Sequence, residues 1–237
     1  MGFSMRTRAL FLALQTPALL WAVAGAGLFG VDSESVLAVT KAGFASSVLE
    51  PLQAAAVLFY SETDCEPCAQ VAPSFATAAT ALAKYGVASA AVDVVAEPKL
   101  VREIGLTPSV GFPFIRVYYG RSTANPYGGM PVREHKDVPV GGGNDARSLQ
   151  RSVLSALPDR VRLVELSALE EALSWAGDGA AAATSYVAVF VTEKSKPSPL
   201  LRTLAHELEG GVDVFQVAVR VGEEGEERGE RGAALAR

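Results

Sequence analysis

Cys65-Glu66-Pro67-Cys68 holds the only two cysteines of the chain and stands between a continuous apolar run, Ala55-Ala56-Val57-Leu58-Phe59-Tyr60, and a long segment with helical spacing. No other feature constrains the fold as much. The unbroken apolar run suits a central strand covered on both faces. Val71, Phe75, Ala78, Ala79 and Leu82 mark one face of a helix over Cys68 to Tyr85, in which Pro73 predicts a kink. A strand that feeds such a helix puts Cys65 at the helix N-terminus, where unpaired N–H groups and the helix dipole favour a thiolate, with Cys68 one turn on. Cys65 is then the nucleophile and Cys68 the resolving thiol, because thiolate attack on a disulfide gives a mixed disulfide that a second thiol clears.

Two other uses of a cysteine pair fit less well. A zinc site usually takes four N or S ligands, and the chain has only His135 and His206 besides, in unrelated contexts. A structural disulfide between residues three apart closes too small a loop to stabilise much. With two cysteines there is no disulfide framework, and thiol chemistry is confined to this pair. The net charge of −5 supplies no basic face for a phosphate backbone, which excludes nucleic acid as a partner and disfavours acidic substrates.

A length of 237 residues allows one large domain or two small ones. Arg6 and Arg8 precede an apolar run from Ala9 to Ala24, broken by Gln15, Thr16 and Pro17 and ending in Ala22-Val23-Ala24. This reads as a cleaved signal peptide over 1–24, with an uncleaved anchor as the alternative, and it sends the mature chain to an oxidising lumen. From there Ser35 to Val39 is strand-like, Lys41 to Glu50 helical, Ala88 to Val94 a strand, Pro98 to Ile104 a short helix and Phe114 to Tyr119 a strand. A Gly- and Pro-rich loop reaches Gly143, and Asp145 caps a helix through Leu157. Alternating strands and helices imply an α/β layer structure.

Pro158-Asp159 reads as a linker, after which the order restarts. Val161 to Leu166 and Tyr186 to Thr192 are strands, Ser167 with Glu170 suits a capping box, Pro199 to Glu209 is a helix and Val212 to Val221 a third strand. The expected organisation is a redox-active domain over 30–158, a Cys-free partial domain over 160–221, and a charged, disordered tail over 222–237. The second unit is unfinished, either as a half-domain leaning on the first or because the chain is a fragment. Trp175 is expected to pack inside it. His206 is read as a solvated residue, His135 as a structural one in a polar loop, and Gly141-Gly142-Gly143 as a flexible connector without the spacing of a phosphate loop.

VLFYSETDCEPCAQVAPSFATAATAL resembles the active-site strand and helix of the thioredoxin fold. The Phe-Tyr before the pair and the Val-Ala-Pro after it resemble the protein disulfide isomerase family in particular. VGFPFIRVYYG is similar to the family segment that carries a cis-proline and a following strand. The resemblance implies that Pro113 is that proline, packed against the Cys pair and lending its backbone to incoming peptide, with Phe112 beside it as a substrate-binding residue; Pro108 is the rival position. It covers Ser35 to Leu157, and YVAVFVTEKSKPSPLLRTLAHELEGGVDVFQVAV is similar to the redox-inactive domains of the same family. The fold it implies is α/β and thioredoxin-like, a central mixed sheet flanked by helices, followed by a second, incomplete thioredoxin-like domain. The activity it implies is dithiol–disulfide exchange on unfolded or disulfide-containing polypeptides in the endoplasmic reticulum lumen. An oxidase or glutathione would reset the pair, and no metal or organic cofactor is called for. No KDEL-like signal closes Ala-Leu-Ala-Arg.

Departures from the family pattern set the expected tuning. Asp64 stands where the family has Trp, Leu58 where it has a buried acid that accepts the resolving thiol's proton, and Glu66-Pro67 where an isomerase has Gly-His. Proton transfer then falls to water or to a group such as Glu62. Glu66 and Asp64 oppose the helix dipole, so Cys65 is expected to be less acidic and the disulfide less oxidising. Asp64 equally suits a plain helix N-cap. The alternative function is a chaperone-like polypeptide-binding module with a vestigial pair.

Overall fold

The computed structural model describes residues 35–63, 65–106, 111–140, 145–171, 173 and 186–219. Residues 1–24, Asp64, Pro108, Gly141 to Gly143, Trp175 and the tail over 222–237, on which several expectations rest, lie outside the described residues.

The apolar run forms strand β2 (Ala55–Tyr60), buried along its whole length. It pairs in parallel with β3 (Ala88–Asp93) and antiparallel with β4 (Phe114–Thr123). With β1 (Leu37–Ala38) and β5 (Val132–Pro139) at the edges, the sheet order is β1-β3-β2-β4-β5. Successive side chains of a strand point to opposite faces, so β2 feeds two cores. Ala56, Leu58 and Tyr60 meet Val71, Phe75 and Leu82 of α2 (Glu66–Ala83) and Leu149 and Val153 of α4 (Ala146–Ala156). Ala55, Val57 and Phe59 meet Phe44 of α1 (Lys41–Phe44), the π-helical turn Ala45–Leu49 that continues it, and Leu100 of α3 (Pro98–Glu103). Asp145 caps α4 as expected, its Oδ1 accepting the Ser148 N–H at 2.6 Å.

Helix α2 includes Pro73 within a single element, held by the apolar residues it buries. Two local expectations are corrected. The strand expected over Ser35 to Val39 shrinks to Leu37–Ala38. The segment Val132–Pro139, expected within a loop, is an edge strand. Its five consecutive polar and charged residues hide the alternation, since most face solvent while Arg133 is drawn inward.

The second α/β unit has three parallel strands, β6 (Arg162–Val164), β7 (Tyr186–Thr192) and β8 (Val212–Ala218), in the order β6-β8-β7. That order repeats β1-β3-β2 of the first sheet. Helix α5 (Pro199–Glu207), capped by the Ser198 hydroxyl on the Leu201 N–H, packs on it. The two units are bolted together by polar contacts. Arg121 donates to the Glu209 carbonyl at 2.6 Å, and Arg160 bridges Glu134 and Glu209 at 3.1 and 3.4 Å. Pro158 is held as well.

His206, expected in solvent, is fully buried in this junction. Its Nε2 donates to the Pro158 carbonyl at 2.9 Å and its ring lies 5.6 Å from that of Tyr119. Its Nδ1 has no hydrogen-bond partner among the described residues. Burial therefore holds the imidazole below the usual histidine range, because protonation would place a charged N–H where nothing accepts it. A histidine with a depressed folded pKa contributes stability present above its unfolded pKa and lost as pH falls through the folded value. We expect the protein to lose thermal stability as pH drops below ~6.5, and His206→Gln to flatten that slope. Parallel melts of the two proteins between neutral and mildly acidic pH check this; identical slopes would contradict it.

Candidate active site

The turn from β2 into α2 sets the position of each thiol. Cys65 occupies the N-cap of α2, and its carbonyl accepts the first helical N–H groups, from Cys68 at 3.1 Å and Ala69 at 3.4 Å. Glu66 and Pro67 take the next two positions, a place where proline costs nothing because its missing N–H would have no helical partner. Cys68 points inward and is fully buried against Leu58 and Val71, while Cys65 is partly exposed at the rim. The two are joined as a disulfide with Cα atoms 5.3 Å apart.

The loop before β4 approaches from the other side. Phe112-Pro113 is a cis peptide bond, and the Phe112 carbonyl oxygen lies 3.9 Å from Cys65 Sγ. The Phe112 ring is anchored on that of Phe114 at 5.8 Å. Cys65, Cys68, Phe112 and Pro113 are therefore brought together, although 47 residues separate Cys65 from Phe112 in sequence. Glu66 and Glu62 are exposed beside the pair. Tyr60, at the end of β2, is pushed up to about 12 by burial and by the nearby Glu62 and Asp93 carboxylates, so its phenol stays neutral wherever thiols exchange.

One group at this site left no mark in the sequence. The Ser61 backbone N–H donates to Cys68 Sγ at 3.5 Å. Any residue but proline at position 61 would present that amide, so no particular residue type signals it. Leu58 is fully buried in the core beside Cys68. His135 sits on β5 with its ring 5.5 Å from that of Tyr118, and His206 is in the junction, so neither attends the cysteines. Among the described residues no cluster of three His, Cys, Asp or Glu side chains forms a metal site, and no helix is long and apolar enough to cross a membrane.

The family model for thioredoxin matches residues 35–137, the span that holds the first sheet and the Cys pair. This segment is a thioredoxin domain. The solved structures similar to the chain include full-length ERdj5, at 19% identity and a TM-score of 0.43, covering 85% of this chain and 27% of that one. The zinc-bound form of human ERp44 is 13% identical with a TM-score of 0.43, covering 77% of this chain and 45% of that one. The Malassezia sympodialis thioredoxin Mala s 13 is 20% identical with a TM-score of 0.37, covering 51% of this chain and 90% of that one. The chain spans about a quarter of the ERdj5 structure's length. No curated protein matches it in sequence. The thioredoxin domain carries the neighbouring cysteine pair, and the second α/β unit follows it.

The acidic rim gives a direct test of tuning. Replacing Glu66 with His exchanges a carboxylate next to Cys65 for a group that favours the thiolate. We expect Glu66→His to raise the reduction potential by some tens of millivolts, on the order of a tenfold change in the exchange equilibrium per ~30 mV. Equilibration against glutathione buffers measures it, and a potential unchanged or lowered would show that Glu66 does not act on Cys65.

Proposed function

We propose that the chain is a thiol–disulfide oxidoreductase of the protein disulfide isomerase type, exchanging disulfides with folding polypeptides in the lumen of the endoplasmic reticulum. The observation that carries this reading is the asymmetry of the pair: a partly exposed Cys65 at a helix N-terminus, backed by a fully buried Cys68. The lumenal placement rests on the charged and apolar N-terminal sequence over 1–24.

Starting from the oxidised pair, a substrate thiolate attacks Cys65 Sγ, the one sulfur within its reach. The Cys65–Cys68 bond breaks and a bond forms between the substrate sulfur and Cys65. Cys68 leaves as a thiolate that accepts the Ser61 N–H and then takes up a proton. A second substrate thiolate attacks the substrate sulfur of the mixed disulfide and releases Cys65 as a thiolate at the positive end of α2. The substrate dithiol is oxidised to a disulfide and the pair is reduced; an oxidase or glutathione disulfide returns it. In reverse, the Cys65 thiolate opens a substrate disulfide and Cys68 closes the cycle. The Phe112 carbonyl beside Cys65 gives an extended substrate strand a main-chain acceptor, with Pro113 shaping the groove. Without a carboxylate at Leu58, the proton of Cys68 moves through water, so exchange is slower than a buried acid would allow.

Trapping tests the proposal. Cys68→Ala is expected to accumulate a mixed disulfide between Cys65 and an oxidised, misfolded client, seen as an intact adduct by mass spectrometry under non-reducing conditions. Cys65→Ala/Cys68→Ala should give none. Absence of the adduct, with client bound equally by wild type and the double variant, would instead establish the polypeptide-binding module.

A further inference from the structure

Tyr118 on β4 is 3% exposed, its ring set against that of Phe44 at 5.9 Å and that of His135 at 5.5 Å. Its hydroxyl is enclosed, and among the described residues nothing accepts its hydrogen. The charges that act on it are the Arg116 and Arg133 guanidiniums and the Asp137 carboxylate. A guanidinium carries donors only, so neither arginine can accept that hydrogen, and both Asp137 oxygens hold Arg116. Burial pushes the phenol up to about 12, so the hydrogen stays on the oxygen at neutral pH. A buried donor left in this state costs the fold its full desolvation.

Tyr118 lines a hollow of about 250 Å³ on the face of the first sheet away from Cys68. Leu49, Ile104 and Met130 give it apolar walls, and Arg116, Arg133 and Asn125 reach it as well. Two of the charges around it are matched: Glu103 by Lys41 at 2.5 Å, and Arg116 by Asp137 at 2.6 Å. Arg133 is held by carbonyls, and among the described residues no carboxylate pairs with it. Donors are in surplus too. Arg116 spends Nε and Nη2 on Asp137 and Nη1 on the Ile104 carbonyl, which leaves a hydrogen on each Nη. Arg133 gives Nε to Gly120, Nη1 to Val48 and Nη2 to Leu52 and Gln53, which leaves one on Nη1. Asn125 accepts the Tyr127 N–H through Oδ1 at 3.0 Å, so its Nδ2 is a further donor. His135 turns Nδ1 to the Arg133 carbonyl at 3.2 Å, which makes Nδ1 the donor and leaves Nε2 to accept in the neutral ring.

Spare donors, a buried cation without a counter-charge and hydrocarbon walls call for an occupant that accepts at one end and is apolar at the other. We infer that this hollow binds a small organic carboxylate, its oxygens taking the Tyr118 hydroxyl and the spare N–H groups of Arg133 and Arg116, its apolar part lying against Leu49, Ile104 and Met130. The carboxylate supplies the charge that Arg133 lacks and the acceptor that Tyr118 lacks, through hydrogen bonds of the charge-assisted kind. A neutral apolar molecule would leave the hydroxyl unsatisfied, and a bare inorganic anion would leave the hydrocarbon wall facing water. The volume lies just under the ~300–1,000 Å³ of pockets that hold drug-sized ligands, which restricts the occupant to a small acid.

Calorimetric titration of the protein with sodium benzoate at fixed ionic strength reads the site, with benzyl alcohol and sodium sulfate as comparison probes. Benzoate is expected to saturate a single site and to raise the melting temperature as its concentration rises. Benzyl alcohol and sulfate are expected to bind about tenfold or more weakly, since each lacks one half of the match. Tyr118→Phe should weaken benzoate by about tenfold or more, the loss of a hydrogen bond to a charged group. Without benzoate the same variant should melt no lower than wild type, because the hydrogen it deletes had no acceptor. Met130→Trp keeps every polar group, fills the hollow and should weaken benzoate by a similar factor. No saturable binding of benzoate, or either comparison probe binding as tightly, overturns the inference. A Tyr118→Phe protein that melts below wild type without benzoate shows a hydroxyl already satisfied within the fold and overturns it as well. Benzoate bound by both variants as by wild type sits elsewhere, with the same consequence.

Discussion

Replacing Cys65 with Ser is expected to bring insulin reduction down to the uncatalysed background, while Cys68→Ser keeps the first exchange and stalls after it. The difference follows from burial. Cys65 is the only sulfur of the pair open to solvent, so every substrate must enter and leave through it, whereas Cys68 is fully enclosed and meets only Cys65. A serine hydroxyl is a far weaker nucleophile at neutral pH and cannot form the mixed disulfide, and Cys68 has no path to replace it. Turnover of insulin with dithiothreitol, followed by turbidity, separates the variants from wild type. A single-turnover experiment then separates them from each other, because only Cys68→Ser releases one equivalent of substrate thiol and stops. Equal activity of Cys65→Ser and wild type would remove the site from the chemistry.

The largest effect on stability is expected far from the cysteines, at Arg133. Arg133 is 2% exposed, and among the described residues no carboxylate pairs with it; its guanidinium donates to the carbonyls of Gly120, Val48, Leu52 and Gln53 at 2.9, 2.6, 3.1 and 2.9 Å. Those acceptors come from β4, the π-helical turn and the connection into β2, so one side chain ties three parts of the domain. Burial lowers its pKa to about 10, still well above neutral pH, and the cation keeps its donors. Arg133→Met fits the space and strands four carbonyls. At ~1–3 kcal/mol for each unsatisfied buried group, partly relieved by water, a loss of about 3–5 kcal/mol is expected, a large share of a ~5–15 kcal/mol total. Urea denaturation measures it. Arg133→Lys should recover only part, because three donors on one atom cannot span acceptors that a planar fork reaches. A loss under about 1 kcal/mol for Arg133→Met would show that water replaces the guanidinium.

Arg133 also shows where sequence reading runs out. Its neighbours Glu134, Lys136 and Asp137 are charged, so the segment reads as a solvated loop, and nothing local reveals that Arg133 turns inward to carbonyls as far as 85 residues away in sequence. His206 is the same case: Glu207 beside it suggests solvent, and the burial comes from Pro158 and Tyr119 across the junction. The central elements were legible because their signals are local. The apolar run over Ala55 to Tyr60 suits the strand it forms, helical spacing marks the buried face of α2, and Asp145 caps the helix it precedes. The cysteines were legible because chemistry requires those residue types. The Ser61 amide was not, since a backbone donor carries no side-chain identity. Strand β7 lay between these extremes: its apolar run is plain in the sequence and reads as buried, whereas Tyr186 and Val191 stand exposed on it.

The reduction potential of the Cys65–Cys68 pair tests the central claim most directly. Equilibrate the protein in glutathione buffers, trap the free thiols by alkylation, and follow insulin reduction on the same samples. With Glu66 exposed beside Cys65 and no histidine between the cysteines, the expected result is a two-electron titration nearer the ~−270 mV of thioredoxin than the ~−180 mV of protein disulfide isomerase, with insulin turnover. A pair that never titrates, or that titrates without any insulin turnover, would contradict the assignment of thiol–disulfide exchange to this site.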